Sequence, residues 1–331
     1  MKISVIIPCF NNADHIEETL SSVQNQTFPD WECMIVDDGS TDNSKAIINS
    51  FCQSDGRFRY LERPADLLKG ANSCRNYGVK ECSGTHIIFL DADDLLSTDC
   101  LEIRNSAKRD EDLLVFSTAH FTESIKEATP FISGLNLNLS PINYRDMFLG
   151  YWIPWHISSG LWERSFFEKI GGFDISQQRF QDVELHARAL STPILKFKID
   201  FSHGYSSYYR KSSFHTKIGL EKRRFILDQG FLYAKKLKSL LKPQDFIKSE
   251  GLFIYLLFRF EEVFTPADVK EVKRLFQTDA EENGKSYLKG DLAVMVTIFD
   301  KVLSVPNRFR KYLSYIIYRK FRFTQSKRLN S

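Results

Sequence analysis

Residues 87–94 read IIFLDADD, and the rest of the chain is read outward from them. Ile87, Ile88, Phe89 and Leu90 form an unbroken apolar run, as a parallel strand buried on both faces requires. Asp91, Asp93 and Asp94 follow at once. Carboxylates this close repel and raise one another's pKa unless a cation or a helix N-terminus neutralises them. A buried strand ending in such a cluster predicts a neutralising partner at its carboxyl end.

The chain upstream repeats the pattern of strand and helix. Ile3 to Pro8 is nearly continuous in apolar residues and predicts a first strand. Asp14 and Glu17 have capping-box spacing, ahead of a helix through Ile16, Leu20 and Val23. Cys33 to Val36 is a second strand. Ser40 or Thr41 caps a second helix, with Ile47, Ile48 and Phe51 inward. Phe58 to Leu61 is a third strand, stopped by Pro64, and 70–82 read as a helix despite Gly78. This alternation implies an α/β fold with a doubly wound, mostly parallel sheet.

Downstream the pattern loosens. Glu111 to Thr118 reads as a strand and 122–143 as a long polar loop of the kind that often forms a lid. A helix from Ser165 leads to GGFD (171–174), where Gly171 and Gly172 suggest positive φ or close backbone approach. QDVELHARAL (181–190) reads as a helix, followed by strand-like runs near 194–200 and 204–210. From about 214 the pattern becomes helical.

Composition narrows the class. The chain has 331 residues, 43% hydrophobic and 26% charged, which fits a globular protein of one large domain or two. A net charge of +3 is too small to indicate a partner. The 6 cysteines lie in the first third without a C-x-x-C pair, which predicts a reducing compartment and neither a zinc site nor a disulfide framework. The start shows no signal-peptide pattern, and no apolar stretch has the length of a membrane span. A cytoplasmic location is the expectation.

In an open parallel sheet, ligands bind outside the carboxyl ends of the strands at the switch point. Two strands end there in acids, in VDDGS (36–40) and DADD (91–94). Such carboxylates can accept from a base or ribose, or hold Mg2+ or Mn2+ together with phosphate oxygens. Turn and cap roles are the plainer reading of either cluster alone.

VIIPCFN (5–11), VDDGSTD (36–42), GANSCRNYGV (70–79), FLDADD (89–94), LWERSFFEKIGGFD (161–174) and QDVELHARAL (181–190) occur in this order. In that order and spacing the motifs resemble the family 2 glycosyltransferases, which have the GT-A fold and invert the anomeric centre. The resemblance covers roughly the first 210 residues. It implies a GT-A domain over 1–212, with a nucleotide-binding half (1–100) and an acceptor-side half (101–212). A mainly helical C-terminal extension then takes 213–331.

The resemblance also assigns roles. Pro8 and Phe10 line the base pocket, and Asp38 accepts from uracil. Lys69, or alternatively Arg75, approaches the diphosphate, although Arg75 is also readable as a solvated helix arginine. Asp91 and Asp93 form the D-x-D motif around Ala92 and hold Mn2+ or Mg2+, with Asp93 the more direct ligand. The general base is Asp182, in a pair that family members usually carry as Glu-Asp and that reads Gln181-Asp182 here. His203 and His215 are open as a further metal or phosphate contact, and as ordinary surface histidines. Trp152, Trp155 and Trp162 could stack on sugar rings, but packing is the commoner role.

The implied substrates are a UDP-sugar donor and a glycan or lipid-linked saccharide acceptor. The activity is that of a hexosyl- or N-acetylhexosaminyl-transferase in surface-polysaccharide or glycolipid synthesis. Residues 307–323, NRFRKYLSYIIYRKFRF, interleave basic and aromatic side chains. They suit either a peripheral membrane helix or a packed C-terminal helix with a solvated basic side. No nucleic-acid partner is expected. A sugar-1-phosphate nucleotidyltransferase would carry a Gly-rich basic loop where PCFNNADH (8–15) stands. A receiver-like signalling module would be far shorter. A non-catalytic nucleotide-sugar binder would not need both the D-x-D motif and Asp182.

Overall fold

Strand order determines where the site lies. The computed structural model describes residues 1–107, 110–211 and 218–276, and beyond them 292–294, 296, 297, 312, 315, 316, 318 and 319. The chain divides into two units, Met1–Leu137 with Pro154–Ser213, and Asn138–Ile153 with Phe214–Ser331.

The first unit begins with β1 (Ile3–Cys9), α1 (Ile16–Gln24), β2 (Trp31–Asp37), α2 (Ser44–Ser54), β3 (Phe58–Glu62), α3 (Ala71–Glu81) and β4 (His86–Phe89). Then come β5 (Leu95–Leu96), α4 (Cys100–Ala107), β6 (Leu113–Phe116), β7 (Thr118–Phe121) and β8 (Thr129–Pro130). The chain leaves for α5 (Pro141–Leu149) of the second unit. It returns for β9 (Gly160–Glu163), α6 (Arg164–Lys169), α7 (Gln181–Leu190), β10 (Phe197–Asp200) and β11 (Ser207–Arg210).

Among the described residues the main sheet has 7 strands in the order β10-β6-β9-β4-β1-β2-β3. β9 runs antiparallel to both neighbours, and the other pairs are parallel. From β1 the chain winds through β2 to β3 on one side, then crosses to β4 on the other. β1 is therefore the switch point, where a crevice opens beyond the carboxyl ends. Cys9 pairs with Asp37, and Ile6 with Phe89, so both acid clusters leave the sheet on one rim. A second sheet has the order β5-β11-β7-β8.

β1, β2 and β4 are covered on both faces, which explains their continuous apolar runs. Ile3, Val5, Ile7, Ile35 and Ile88 are fully buried. Each contributes roughly 1.5–3 kcal/mol by leaving water. α3 crosses β1 and β2 at Gly78, where a Cβ would stand 2.6 Å from Ile6 Cγ2 and 3.2 Å from Val36 Cγ2. The glycine that weakens the helical pattern in sequence is thus what lets α3 lie close to the sheet. At the amino end of the sheet, buried Glu32 accepts from Ser4 Oγ (2.7 Å), Ser83 N (2.6 Å), Gly84 N (3.0 Å) and Lys2 Nζ (3.0 Å).

The second unit, by itself, contains α5, α8 (Leu220–Leu240), α9 (Pro243–Phe246), α10 (Glu250–Arg259) and α11 (Pro266–Leu275). α10 buries Leu252, Phe253, Ile254, Leu256 and Leu257. Arg224 on α8 donates to Asp268 Oδ1 and Oδ2 on α11. No helix among the described residues is long and apolar enough to cross a membrane. His215 and nearly all of 307–323 lie outside the described residues.

Several local expectations differ from the structure. α1 starts at Ile16 with no side-chain cap, so Asp14 and Glu17 form no capping box. At α2 the Ser44 N–H is taken by Asp42 Oδ1, not by Ser40 or Thr41. The span 122–143 is not wholly loop: β8 pairs with β7, and α5 opens at Pro141 behind Ser140. Trp155 and Trp162 are buried at 1% and 0% exposure and serve packing.

Candidate active site

The neutralising partner of the β4 acids comes from α3. Arg75 Nη2 donates to Asp91 Oδ1 at 2.6 Å, and its Nη1 lies 3.4 Å from both Asn72 Oδ1 and Gln181 Oε1. Arg75 is only 4% exposed, which rules out a solvated arginine. Burial works against its charge, and Asp91 and Asp182 more than compensate, raising its pKa. Burial also works to raise Asp91, but Arg75 and then His156 hold its carboxyl below the usual range.

Asp93 and Asp94 are less well served. Burial and the Asp91 charge raise Asp93. Asp94 is fully buried, and burial, Asp91 and Asp93 push it well above the ordinary carboxylate value. Its Oδ1 accepts from the Arg210 backbone N–H at 2.9 Å, while its Oδ2 has no hydrogen-bond partner. Arg210 also donates from Nε to Asp93 O (2.9 Å) and from Nη2 to Glu18 Oε2 (2.5 Å).

His156 completes this corner. It sits just before β9, with Nδ1 2.9 Å from Ser158 Oγ and 3.7 Å from Asp94 Oδ2. The Tyr209 ring lies 4.6 Å from its ring, and Phe131 5.7 Å. Burial lowers the imidazole pKa to about 4, so it is neutral near pH 7 and able to ligate. Donor atoms of Asp91, Asp94 and His156 all lie within 4.8 Å of one another. These residues fit a divalent cation: two carboxylates and an imidazole converge, and one buried carboxylate oxygen has no other partner. An imidazole ligand disfavours Mg2+, a hard cation that takes oxygen ligands, while the purely oxygen pair Asp91 and Asp93 suits Mn2+ or Mg2+. Asp93 is not part of the converging group.

Asp182 stands in the first turn of α7. Burial pushes its carboxyl up, Arg75 pulls it down and Asp91 pushes it up again, leaving it at about 6. The loop before α7 is clamped by α3. Asn76 Nδ2 donates to Phe173 O (2.8 Å), and Asn76 Oδ1 accepts from Phe173 N (2.9 Å). Asn72 Nδ2 donates to Asp174 O (2.7 Å) and Gln177 O (2.9 Å). Gly172 has φ +63°, and a Cβ there would fall 2.7 Å from Asn76 Oδ1. The GGFD glycine therefore serves close approach and positive φ together. Phe180, just before α7, also has positive φ (62°), an uncommon conformation for a bulky residue.

The second cluster lies at the end of β2. Asp37 accepts from Ser40 N (3.1 Å), Ser40 Oγ (2.5 Å) and Tyr60 OH (3.2 Å), so it braces the turn. Asp38 pairs with Arg63, Nε to Oδ1, at 2.5 Å. Phe10 is 47% exposed beyond β1, and Lys69 Nζ lies 4.1 Å above its ring. Pro8 is half-buried at the end of the same strand. Ala92 is buried, and its carbonyl accepts from Thr19 Oγ1 at 2.9 Å.

The structure thus brings Arg75, Asp91, Asp93 and Asp182 into one electrostatic neighbourhood, with Pro8, Phe10 and Asp38 on the same rim. It does not bring His203 there: His203 lies 4.0 Å from Asp200 beyond β10, the edge strand. Sequence reasoning missed Asp94 as a partner of His156, and missed His156, Arg63 and Arg210. His156 carries no local signal, since its place depends on β9 joining the sheet from far along the chain.

Residues 4–169, half of the chain, match the model of Glycosyl transferase family 2. Over 100 residues the chain is 36% identical to the GalNAc(5)-diNAcBac-PP-undecaprenol beta-1,3-glucosyltransferase of Campylobacter jejuni, covering 30% of this chain and 32% of that one. Among similar curated relatives the chain spans 18% to 40% of their own length. Its fold is similar to residues 1–349 of S. aureus TarS in complex with UDP-GlcNAc, with TM-score 0.61, 15% identity and coverage of 98% and 92%. It is also similar to the mannosyltransferase PcManGT from Pyrobaculum calidifontis in complex with GDP-Man and Mn2+, with TM-score 0.51, 16% identity and coverage of 95% and 84%. At such identities the likeness speaks to fold alone. A mostly parallel sheet with acids at its switch point is the GT-A fold, and with half the chain matched by the family model, the chain belongs to glycosyl transferase family 2.

Proposed function

We propose that the protein is an inverting glycosyltransferase that moves a sugar from a UDP-sugar to a hydroxyl of a glycan or lipid-linked acceptor, in bacterial surface-glycan synthesis. The observation that carries this reading is that Arg75, buried and bonded to Asp91 at 2.6 Å, also has its charge stabilised by Asp182. In this reading a donor-site acid and a base both act on one buried cation.

The chemistry follows from charge. Breaking the bond from the anomeric carbon to phosphate leaves negative charge on the diphosphate. Mn2+ or Mg2+ bound at Asp91 with Asp93, or with Asp94 and His156, would neutralise part of that charge. Arg75 keeps Asp91 ionised and oriented, and Lys69, over the Phe10 ring, is the cation that approaches the diphosphate. Asp182 takes the proton of the acceptor hydroxyl as it attacks the opposite face, giving inversion. A base with pKa about 6 is ionised at neutral pH and is stronger than an ordinary carboxylate. Phe10, Pro8 and Asp38 hold the base of the nucleotide. Membrane contact through 307–323 remains part of the proposal, because a lipid-linked acceptor would place the enzyme at a bilayer.

The test is turnover of a UDP-sugar panel with Mn2+ and simple saccharide acceptors, followed by NMR of the new linkage. The reading expects UDP release and an anomeric configuration opposite to the donor's. Retention of configuration, or turnover undiminished in Asp182→Asn, would overturn it.

A further inference from the structure

The base end of the site holds a pair that the transfer chemistry leaves unused. Arg63, just past β3, donates from Nε to Asp38 Oδ1 at 2.5 Å. Its Nη1 donates to the carbonyls of Pro64 (2.8 Å) and Leu67, and its backbone N–H to Asp37 O (2.9 Å). The Arg63 side chain is 14% exposed and that of Asp38 9%. Among the described residues, Arg63 Nη2 and Asp38 Oδ2 make no hydrogen bond. Cys74 on α3 lies within the electrostatic influence of this pair and of Arg75. Burial first, then Asp38, push its thiol up, while Arg63 and Arg75 ease it, leaving it at about 12.

We propose that Arg63 is a specificity-determining residue, which favours uracil and thymine nucleotides by engaging Asp38 Oδ1 and leaving Oδ2 as the oxygen with no partner. The proposal rests on the reading of Asp38 as the carboxylate that meets the base. Uracil and thymine present one donor, N3–H, between two carbonyls. Asp38 Oδ2 takes that proton, and Arg63 Nη2 donates to the neighbouring carbonyl. Guanine presents two adjacent donors, N1–H and the 2-amino group, which together need both carboxylate oxygens. Oδ1 already accepts a charge-assisted bond from Arg63, so the second guanine donor must share that oxygen or displace the pair, and both weaken guanine relative to uracil. Cytosine and adenine present a bare ring nitrogen to the carboxylate, acceptor against acceptor. Arg63 thus biases a carboxylate that could read two donors toward reading one.

The experiment is calorimetric titration of UDP, dTDP, GDP and CDP, with Mn2+, into wild type, Arg63→Ala and Arg63→Gln. The glutamine variant retains a donor for the Pro64 and Leu67 carbonyls, and thermal melts confirm that each variant is folded. Wild type is expected to bind UDP and dTDP at least tenfold more tightly than GDP, with CDP weakest. In both variants the UDP-to-GDP preference should fall about tenfold, a shift of one decade in the ratio of dissociation constants. Equal weakening for all four nucleotides, with the ratio unchanged, would reduce Arg63 to a prop for its loop and overturn the proposal. A wild type that prefers GDP also overturns it. A wild type that binds none of the four overturns the donor-site reading itself, and the proposal with it.

Discussion

Arg75 Nη2 stands 2.6 Å from Asp91 Oδ1, and the charge of Asp182 further stabilises the same guanidinium. One buried arginine therefore controls the protonation of two acids. Burial alone would raise Asp91, and Arg75 brings it down. Asp182 settles at about 6 because Arg75 offsets part of its burial and of the Asp91 charge.

Replacing Arg75 should show this coupling. Arg75→Ala is expected to lower kcat/KM about 10²–10³-fold, the scale for losing a charge-stabilising group. It should also move the acid limb of the pH profile upward, since the influence that lowers Asp182 is gone. A variant that loses activity without moving the limb would confine Arg75 to a structural role.

Asp182 itself sets that limb. Its pKa is raised to about 6, so below that pH the carboxyl is protonated and cannot accept the hydroxyl proton. Wild-type kcat should fall tenfold per pH unit below about 6 and level off above it. Asp182→Asn should lose about 10²–10⁴-fold in kcat while UDP affinity, measured by calorimetry, stays nearly unchanged.

Cation choice tests the corner at His156. If His156 joins Asp91 and Asp94 as a ligand, His156→Ala should weaken Mn2+ binding by roughly tenfold or more and affect Mg2+ less, because the harder Mg2+ gains little from a nitrogen ligand. Titration of each cation alone, with Mn2+ followed by paramagnetic resonance, reads the difference. Equal affinity in wild type and variant would place the cation on Asp91 and Asp93 instead.

Stability at low pH should depend on Glu32. Burial works to raise this carboxyl, but bonds from Ser4, Ser83 and Lys2 bring it from 4.5 to about 2. A depressed folded pKa stabilises the fold above pH 4.5, and the effect is lost as pH falls through about 2. The shift corresponds to about 3 kcal/mol as an upper figure. Glu32→Gln should therefore unfold at lower denaturant at pH 7, and the gap from wild type should close between pH 4.5 and 2.

The fold was legible where local pattern and tertiary role coincide. β1, β2 and β4 are covered on both faces, so their apolar runs stand out in the chain. Asp91 stands out in the sequence because it follows a strand end, whereas Asp182 is singled out only through the family resemblance. What stayed hidden depends on long-range placement. β9 is four residues long and enters between β4 and β6 from a distant segment. With it comes His156, which no periodicity marks. Arg63 meets Asp38, and Arg210 meets Asp94, only because β3 and β11 take their places in the two sheets. The apparent capping box at Asp14 and Glu17 failed because the helix begins at Ile16 rather than beside Asp14.

The central claim is that the acids at the end of β4 hold the diphosphate of a nucleotide donor through a divalent cation. Calorimetric titration of UDP with Mn2+, then with EDTA, on wild type, Asp91→Ala and Asp93→Ala tests it most directly. The account predicts binding in wild type that EDTA abolishes and that Asp91→Ala loses. UDP binding with equal affinity in EDTA and in both variants, or no binding under any condition, would contradict it.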